Sequence, residues 1–165
     1  VRDNLGTMAR HPQLELDLQL CFPLYAASRA LTRAYGPLLE PAGVTYPQYL
    51  ALLALWSGPG SQTVGELGRR LRLDSGTLTP LLKRLEGAGL VTRRRDPDDE
   101  RRVVVALTEA GDALQDDLAH VPGALVEQLG LTFEDGLALR SLVDRLIANL
   151  DAAAPTTPAD PQDPS

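Results

Sequence analysis

The sequence predicts a mainly α-helical protein with a small β-hairpin wing: a winged helix-turn-helix flanked by N- and C-terminal dimerisation helices. Three observations predict it. Between Thr63 and Gly89, two short amphipathic helix patterns are separated by a three-residue turn. Two β-branched runs follow at once, joined by an acidic loop that contains a proline. Basic charge gathers on the same stretch: residues 69–102 hold ten of the sixteen Lys and Arg against six acids, a balance of +4. The whole chain is −6, so the rest sums to −10. A net-acidic chain with one basic module points to a docking site for a polyanion.

The module reads element by element. Thr63 and Glu66 form a capping box at a helix start. That helix carries Val64, Leu67 and Leu71 on one face and ends near Leu71, and Arg72-Leu73-Asp74 make the turn. Asp74 or Thr77 can cap a second helix, whose apolar face is Leu78, Leu81, Leu82, Leu85 and Leu90. Pro80 is tolerated if this helix starts between Ser75 and Thr77, so that the missing donor falls in the first turns. Gly87 and Gly89 end it. The runs Leu90–Arg95 and Arg102–Leu107 then form a hairpin around residues 96–100. A helix in the second position enters the DNA major groove. Ser75, Thr77, Thr79 and Lys83 are its exposed candidates for DNA contact, and Arg93, Arg94, Arg95, Asp99 and Arg101 are those of the wing. The winged helix-turn-helix is expected over about 45–107.

The remaining chain supplies the flanks. Residues 1–13 read as a flexible arm in which His11 is solvated. From Leu14 to Tyr35 the apolar residues are too dense for a helix with a solvent face. Leu16, Leu20, Leu24, Ala27, Leu31 and Tyr35 make a stripe that Leu18, Cys21, Phe22, Tyr25 and Ala26 widen, which points to a subunit interface. Pro23 starts or kinks the regular helix close to Cys21. Gly36-Pro37 is expected to break it, with one more turn over Pro37–Ala42 closed by Gly43. Thr45 and Gln48 form a second capping box that opens Tyr46–Trp56, and residues 57–60 are a loop. Thr108 caps a helix to about Leu129, interrupted at Pro122-Gly123. Thr132 with Asp135 opens the last helix, to about Leu150. Residues 151–165, rich in proline, read as a disordered tail.

A domain over 14–150 with apolar faces left over on 14–35 and 108–150 is expected to form a homodimer. Its two recognition helices then meet major-groove segments about 34–36 Å apart on double-stranded, pseudo-palindromic operator DNA. No run reaches the length of a membrane span, and no signal peptide is read, so the expected location is cytoplasmic with no membrane partner. His11 and His120 stand alone, so neither a metal nor a cofactor is expected.

Cys21 is the single cysteine. A lone cysteine commonly serves as a small buried hydrophobe. This one lies near a helix N-terminus, where the macrodipole favours thiolate, and in the expected subunit interface. The four tyrosines are Tyr25, Tyr35, Tyr46 and Tyr49. Their hydroxyls can donate to a thiolate, although ordinary amphipathic packing explains the same spacing.

The stretch LTEAGDAL after DPDDERRVVVAL resembles the wing and post-wing helix of the MarR family of dimeric winged-helix regulators. LQLCFPLYAASRALTRAYGPLLEPAGVTYPQYLALLALW and LDSGTLTPLLKRLEGAGLVTRRRDPDDERRV resemble more closely its organic hydroperoxide resistance regulator (OhrR) subfamily. The likeness runs from about Leu14 to Leu150. It implies that Cys21 is a peroxide sensor, that Tyr35 and Tyr46 hydrogen-bond its sulfur, and that Tyr25 joins an oxidised-state rearrangement. It also implies that Arg101, in an Asp-x-Arg with Asp99, enters the minor groove. Some members have a second, resolving cysteine; this chain has none and matches the one-cysteine type. The implied function is a non-enzymatic transcriptional repressor. An organic hydroperoxide oxidises Cys21, operator DNA is released, and a peroxide-detoxification gene is expressed. Two other readings remain. One is a MarR-type regulator of a small aromatic or phenolic ligand with a structural Cys21. The other is a thiol peroxidase, against which the missing resolving thiol argues.

Overall fold

A computed structural model of the chain describes residues 11–153. Two 3-10 turns, Pro12–Leu14 and Leu16–Leu18, precede α1 (Cys21–Leu39), and a third, Glu40–Ala42, follows it. Then come α2 (Tyr46–Trp56), β1 (Ser61–Thr63), α3 (Val64–Leu71), α4 (Ser75–Gly87), β2 (Val91–Arg95) and β3 (Val103–Leu107). The chain closes with α5 (Glu109–Leu118), α6 (Val121–Leu129) and α7 (Phe133–Ala153). Two compact units result, Val1–Leu125 and Val126–Ser165. Among the described residues no helix is long and apolar enough to cross a membrane.

The helix starts follow the capping chemistry. Thr63 Oγ1 accepts from the Glu66 N–H at 3.2 Å, while Glu66 Oε2 accepts from the Thr63 N–H at 2.7 Å. Gln48 Oε1 accepts from the N–H and hydroxyl of Thr45 at 2.8 and 2.9 Å. Asp135 and Thr132 repeat the pairing before α7. The choice between Asp74 and Thr77 falls to Asp74, whose carboxylate accepts from the Thr77 N–H at 2.9 Å. Arg72 ends α3 in the left-handed conformation, φ 55°.

The core of the first unit forms around α2. Six of its eleven residues are buried, as expected of a helix apolar around most of its circumference. Leu52 and Leu55 join Leu67 of α3, Leu78, Leu82 and Leu85 of α4, Val91 and Val105 of the sheet, and Val121 of α6. The sheet is antiparallel in the order β1-β3-β2, with Gln62 and Arg93 both opposite Val105.

Several expectations are corrected. The apolar stretch from Leu14 is not one helix: the regular helix begins at Cys21, where Pro23 is read to start or kink it. That start puts Pro23 third in the helix, where its missing N–H is one of the donors left unpaired anyway. Gly36-Pro37 does not break α1, which continues to Leu39. Pro37 removes a single donor near the helix end, and burial of Leu39 in the core holds the last turn. Strand β1 was not foreseen, because Ser61-Gln-Thr63 has no β-branched run to announce it. The break between α5 and α6 falls at Ala119-His120 rather than at Pro122-Gly123, so that Pro122 takes the second position of a new helix. The start of α4 at Ser75 is as expected from Pro80, which stands sixth in the helix. Helix α7 extends to Ala153, and of the expected arm and tail, 1–10 and 154–165 lie outside the described residues.

Wing and helix α5 meet at one close backbone contact. Thr108 donates its N–H to Leu90 O at 3.1 Å, and Thr108 Oγ1 accepts from the Gly111 N–H at 3.0 Å. The Trp56 indole donates to Gly111 O at 3.0 Å. A Cβ at Gly111 would collide with the Leu90 carbonyl, so only glycine fits without moving backbone. Gly111→Ala should therefore destabilise the fold by about 1–3 kcal/mol, read as a lowered chemical-denaturation midpoint. An unchanged midpoint would show that this contact yields easily.

Candidate nucleic-acid interface and thiol site

The basic module presents α4 between two carboxylates. At its start the Asp74 carboxyl is held below the ordinary range, chiefly by the Thr77 backbone N–H and then by the Thr77 hydroxyl. At its end Glu86 Oε1 accepts from the Arg93 N–H at 3.1 Å, and Oε2 lies 3.5 Å from the Arg93 guanidinium. Ser75, Thr77 and Lys83 are exposed on this helix, and Thr79 is half-buried.

The arginines divide by surroundings. Arg70 donates to Ala54 O and Ser57 Oγ, both at 2.7 Å, and so caps the carboxyl end of α2. The Arg93 side chain is only 17% exposed and joins β2 to α4. Arg94 and Arg95 are exposed. At the wing tip the Arg101 side chain is 94% exposed, and Asp99 Oδ1 accepts from its N–H at 3.1 Å and lies 3.5 Å from its Nε. The tip is shaped by Asp96 N–H donating to Arg102 O and Arg102 N–H donating to Asp99 O, each at 2.9 Å. An open cleft of about 720 Å³ lies between α3, α4 and the wing, with Arg69, Arg93, Arg101 and Arg102 in its lining. Arg69 and Arg102 were not singled out from sequence as contacts. Only their place in the charge cluster marks them.

Cys21 is the first residue of α1 and is exposed. Tyr25, one turn on, is exposed and accepts from Arg29 Nη1 at 2.8 Å. Tyr35 stacks on Tyr46 with centroids 4.2 Å apart, and Tyr49 continues the cluster at 5.8 Å from Tyr35. The Tyr35 and Tyr46 hydroxyls make no hydrogen bond among the described residues. Burial, then the neighbouring Tyr46 and Tyr49, pushes the Tyr35 hydroxyl up to about 12, and burial raises Tyr46. Both are therefore protonated donors at neutral pH.

Cys21 and Tyr35 lie on one continuous helix, fourteen residues apart. At 1.5 Å per residue the helix holds them about 21 Å apart, beyond hydrogen-bonding reach within one subunit. The protomer thus brings the tyrosines together and leaves the cysteine away from them. Around Cys21 the surface is apolar and open: Leu14, Leu16, Leu18 and Leu20 are 56–72% exposed. In the second unit Phe133, Leu137, Leu139 and Leu142 are also exposed. Among the described residues no group of His, Cys, Asp and Glu is arranged to hold a metal ion.

A helix presented by its predecessor at one end and tied to a β-hairpin at the other defines the class: a winged helix-turn-helix protein. Comparison with known proteins narrows it. The MarR family model matches residues 44–103. The organic hydroperoxide resistance transcriptional regulator of Bacillus subtilis (strain 168) is 48% identical over 138 residues, covering 84% of this chain and 91% of that protein. Reduced AbfR bound to DNA, a protein of Staphylococcus epidermidis, superposes with TM-score 0.75 at 37% identity, covering 86% of this chain and 96% of that one. Overoxidised AbfR bound to DNA superposes with TM-score 0.69 at 37% identity, covering 84% and 97%. The chain belongs to the MarR family, in the group of the organic hydroperoxide resistance regulators.

The raised Tyr35 value gives an alkaline signature. Below pH 10 the folded and unfolded chains both keep this proton, and its contribution to stability is complete. Between 10 and about 12 the unfolded chain releases it while the folded chain holds it, so stability falls as pH rises through that window. The melting temperature should decline across the window, and less steeply in Tyr35→Phe. Identical slopes would place the Tyr35 hydroxyl in solvent.

Proposed function

We propose that this protein is a homodimeric, peroxide-sensing DNA-binding repressor that organic hydroperoxides switch off through Cys21. The observation that carries it is the separation along α1. Tyr35 and Tyr46 offer two donors without partners, and Cys21 has an exposed sulfur that cannot reach them in its own subunit. A two-fold dimer joined through 14–35 and the helices of 108–150 brings Cys21 against the partner subunit's Tyr35 and Tyr46, and it covers the exposed leucines on both sides.

In that setting each group has a task. The tyrosine hydroxyls are placed to donate hydrogen bonds to the Cys21 sulfur. The thiolate attacks the peroxide O–O bond: an S–O bond forms, O–O breaks, and the departing alkoxide takes a proton to leave as an alcohol. Cys21 becomes a sulfenic acid. The apolar walls favour an organic hydroperoxide over hydrogen peroxide. No second cysteine exists to resolve the sulfenic acid, so a small cellular thiol condenses with it, releasing water and leaving a mixed disulfide. Overoxidised AbfR was obtained on DNA, which supports a bulky adduct rather than extra oxygen atoms as the releasing species. The adduct wedges the subunit junction, and the two recognition helices lose the spacing that lets both engage operator DNA.

On the DNA side, Ser75, Thr77, Thr79 and Lys83 face the major groove. Asp99 orients Arg101 for the minor groove, where a narrow groove concentrates negative potential. Arg94 and Arg95 reach the backbone, whereas Arg93 keeps wing and α4 in register. A second reading, a small aromatic inducer, is favoured by an open cleft of about 470 Å³ floored by Tyr49, Leu53 and Trp56.

Cys21→Ser should bind operator DNA and stay bound under cumene hydroperoxide that releases the parent. Tyr35→Phe should lose thiolate roughly ten-fold more slowly, since each replaced donor served a charged acceptor. Peroxide release surviving in Cys21→Ser would instead favour the inducer reading. For DNA contact, Arg101→Ala should weaken operator binding about ten-fold with an unchanged melting temperature. Arg93→Ala should chiefly lower the melting temperature. The opposite pattern in fluorescence anisotropy and thermal melts would reverse the two assignments.

A further inference from the structure

The cleft between α3, α4 and the wing is built for an anion. Its floor is the first turn of α3, with Thr63, Val64 and Gly65 in the lining. A helix N-terminus carries partial positive charge. Over it lies another positive group: a Cβ at Gly65 would stand 3.8 Å from Arg69 Nη1, so the Arg69 guanidinium folds back along α3 toward its start. The opposite wall adds Arg101 and Arg102. The Arg69 guanidinium makes no hydrogen bond or ion pair among the described residues. Arg102 has only a loose pair, Nε to Asp96 Oδ2 at 3.9 Å, with its side chain half exposed. Arg93 Nε, in the same lining, is buried without an acceptor. One carboxylate, Glu66, interacts with both Arg69 and Arg102, but its oxygens are committed to capping Thr63. Guanidinium groups held against a helix N-terminus, with a buried donor beside them, form an arrangement that an anion completes.

The place of the cleft names the anion. Thr79 of α4 forms one wall and the base of the wing the other. A helix in the major groove and a wing tip in the adjacent minor groove must straddle the sugar-phosphate strand that separates those grooves. We infer that this cleft takes the straddled strand, with Arg69 and Arg102 gripping successive phosphodiester groups and the α3 N-terminus completing the seat. The inference rests on the DNA-binding reading and adds two contacts to it that carry no sequence preference. They set affinity and register while α4 and the wing tip read the bases.

The test uses the full-length protein and a labelled mixed-sequence duplex, because phosphate contacts dominate non-specific binding. Anisotropy titrations across a salt series give the slope of log K against log salt. Arg69→Gln and Arg102→Gln should each lower affinity about five-fold near physiological salt and reduce the slope by about 0.9, the value per neutralised phosphate. The double variant should lose about 1.8, and Arg69→Lys, which keeps the charge, should keep the slope. Glu66→Gln, which retains an acceptor for the cap, should bind roughly two-fold more tightly. Parental slopes in both Gln variants, with the parent binding DNA normally, would overturn the inference and leave DNA binding standing. A parent that shows no salt-dependent duplex binding would overturn both.

Discussion

Placement of α4 is the constraint on which the rest of the molecule depends, and two carboxylates secure it. Asp74 pairs the amide of Thr77, the third residue of the helix, and Glu86 pairs an amide of the adjoining strand. Between them Leu78, Leu82 and Leu85 are sealed into the core formed by α2 and α3. Burial of one face supplies most of the free energy and sets the rotation of the helix about its axis. Asp74 closes the start of the helix, and Glu86 ties its end to the adjoining strand through an amide about 3 Å away. The wing inherits its position from α4 through Arg93, so recognition helix and hairpin move as one piece.

The second constraint is the rigidity of α1. A helix cannot fold back to place its first residue against its fifteenth. In the proposed reading, a cysteine at one end and a tyrosine donor toward the other become a single site only between subunits. On that reading sensing and dimerisation are coupled, since an adduct on Cys21 would occupy space that the dimer needs. A small change at one sulfur would then act on distant helices through the relative placement of two rigid bodies, with no chain of side-chain movements within one subunit.

Much of this was legible in the sequence. Thr63 with Glu66, Thr45 with Gln48, Asp74, and Thr132 with Asp135 each announced a helix start that the structure places within a residue. Capping is local chemistry with a fixed spacing. The start of the first helix at Cys21 was legible from Pro23, which is readily accommodated in a first turn. The dense leucines at 14, 16, 18 and 20 did not show that regular helix is absent before it. Gly36-Pro37 misled, since a break signal counts for little where tertiary packing holds the following turn. Strand β1 depends on β3 for its hydrogen bonds, so three polar residues could not reveal it. At the site, residue types were readable but partners were not. The Asp-x-Arg pattern marks Arg101 in the wing, but nothing in the sequence shows that Arg93 turns onto Glu86.

That sorting of arginines gives the charge pattern its meaning. Ten basic residues crowd into residues 69–102, but they do not act as one patch. Arg70 neutralises carbonyls at the end of α2, and Arg93 offsets Glu86. Arg101 stands exposed at the wing tip beside Asp99, while Arg69 and Arg102 remain with incomplete pairing inside the cleft. Outside this stretch the chain carries a net −10, which on balance disfavours approach of a polyanion elsewhere. Attraction at one face and repulsion elsewhere favour one orientation of approach. In a two-fold dimer this presents both recognition helices to the same side of a duplex before any base is read. In the proposed reading, loss of that shared orientation releases DNA even with every contact residue intact.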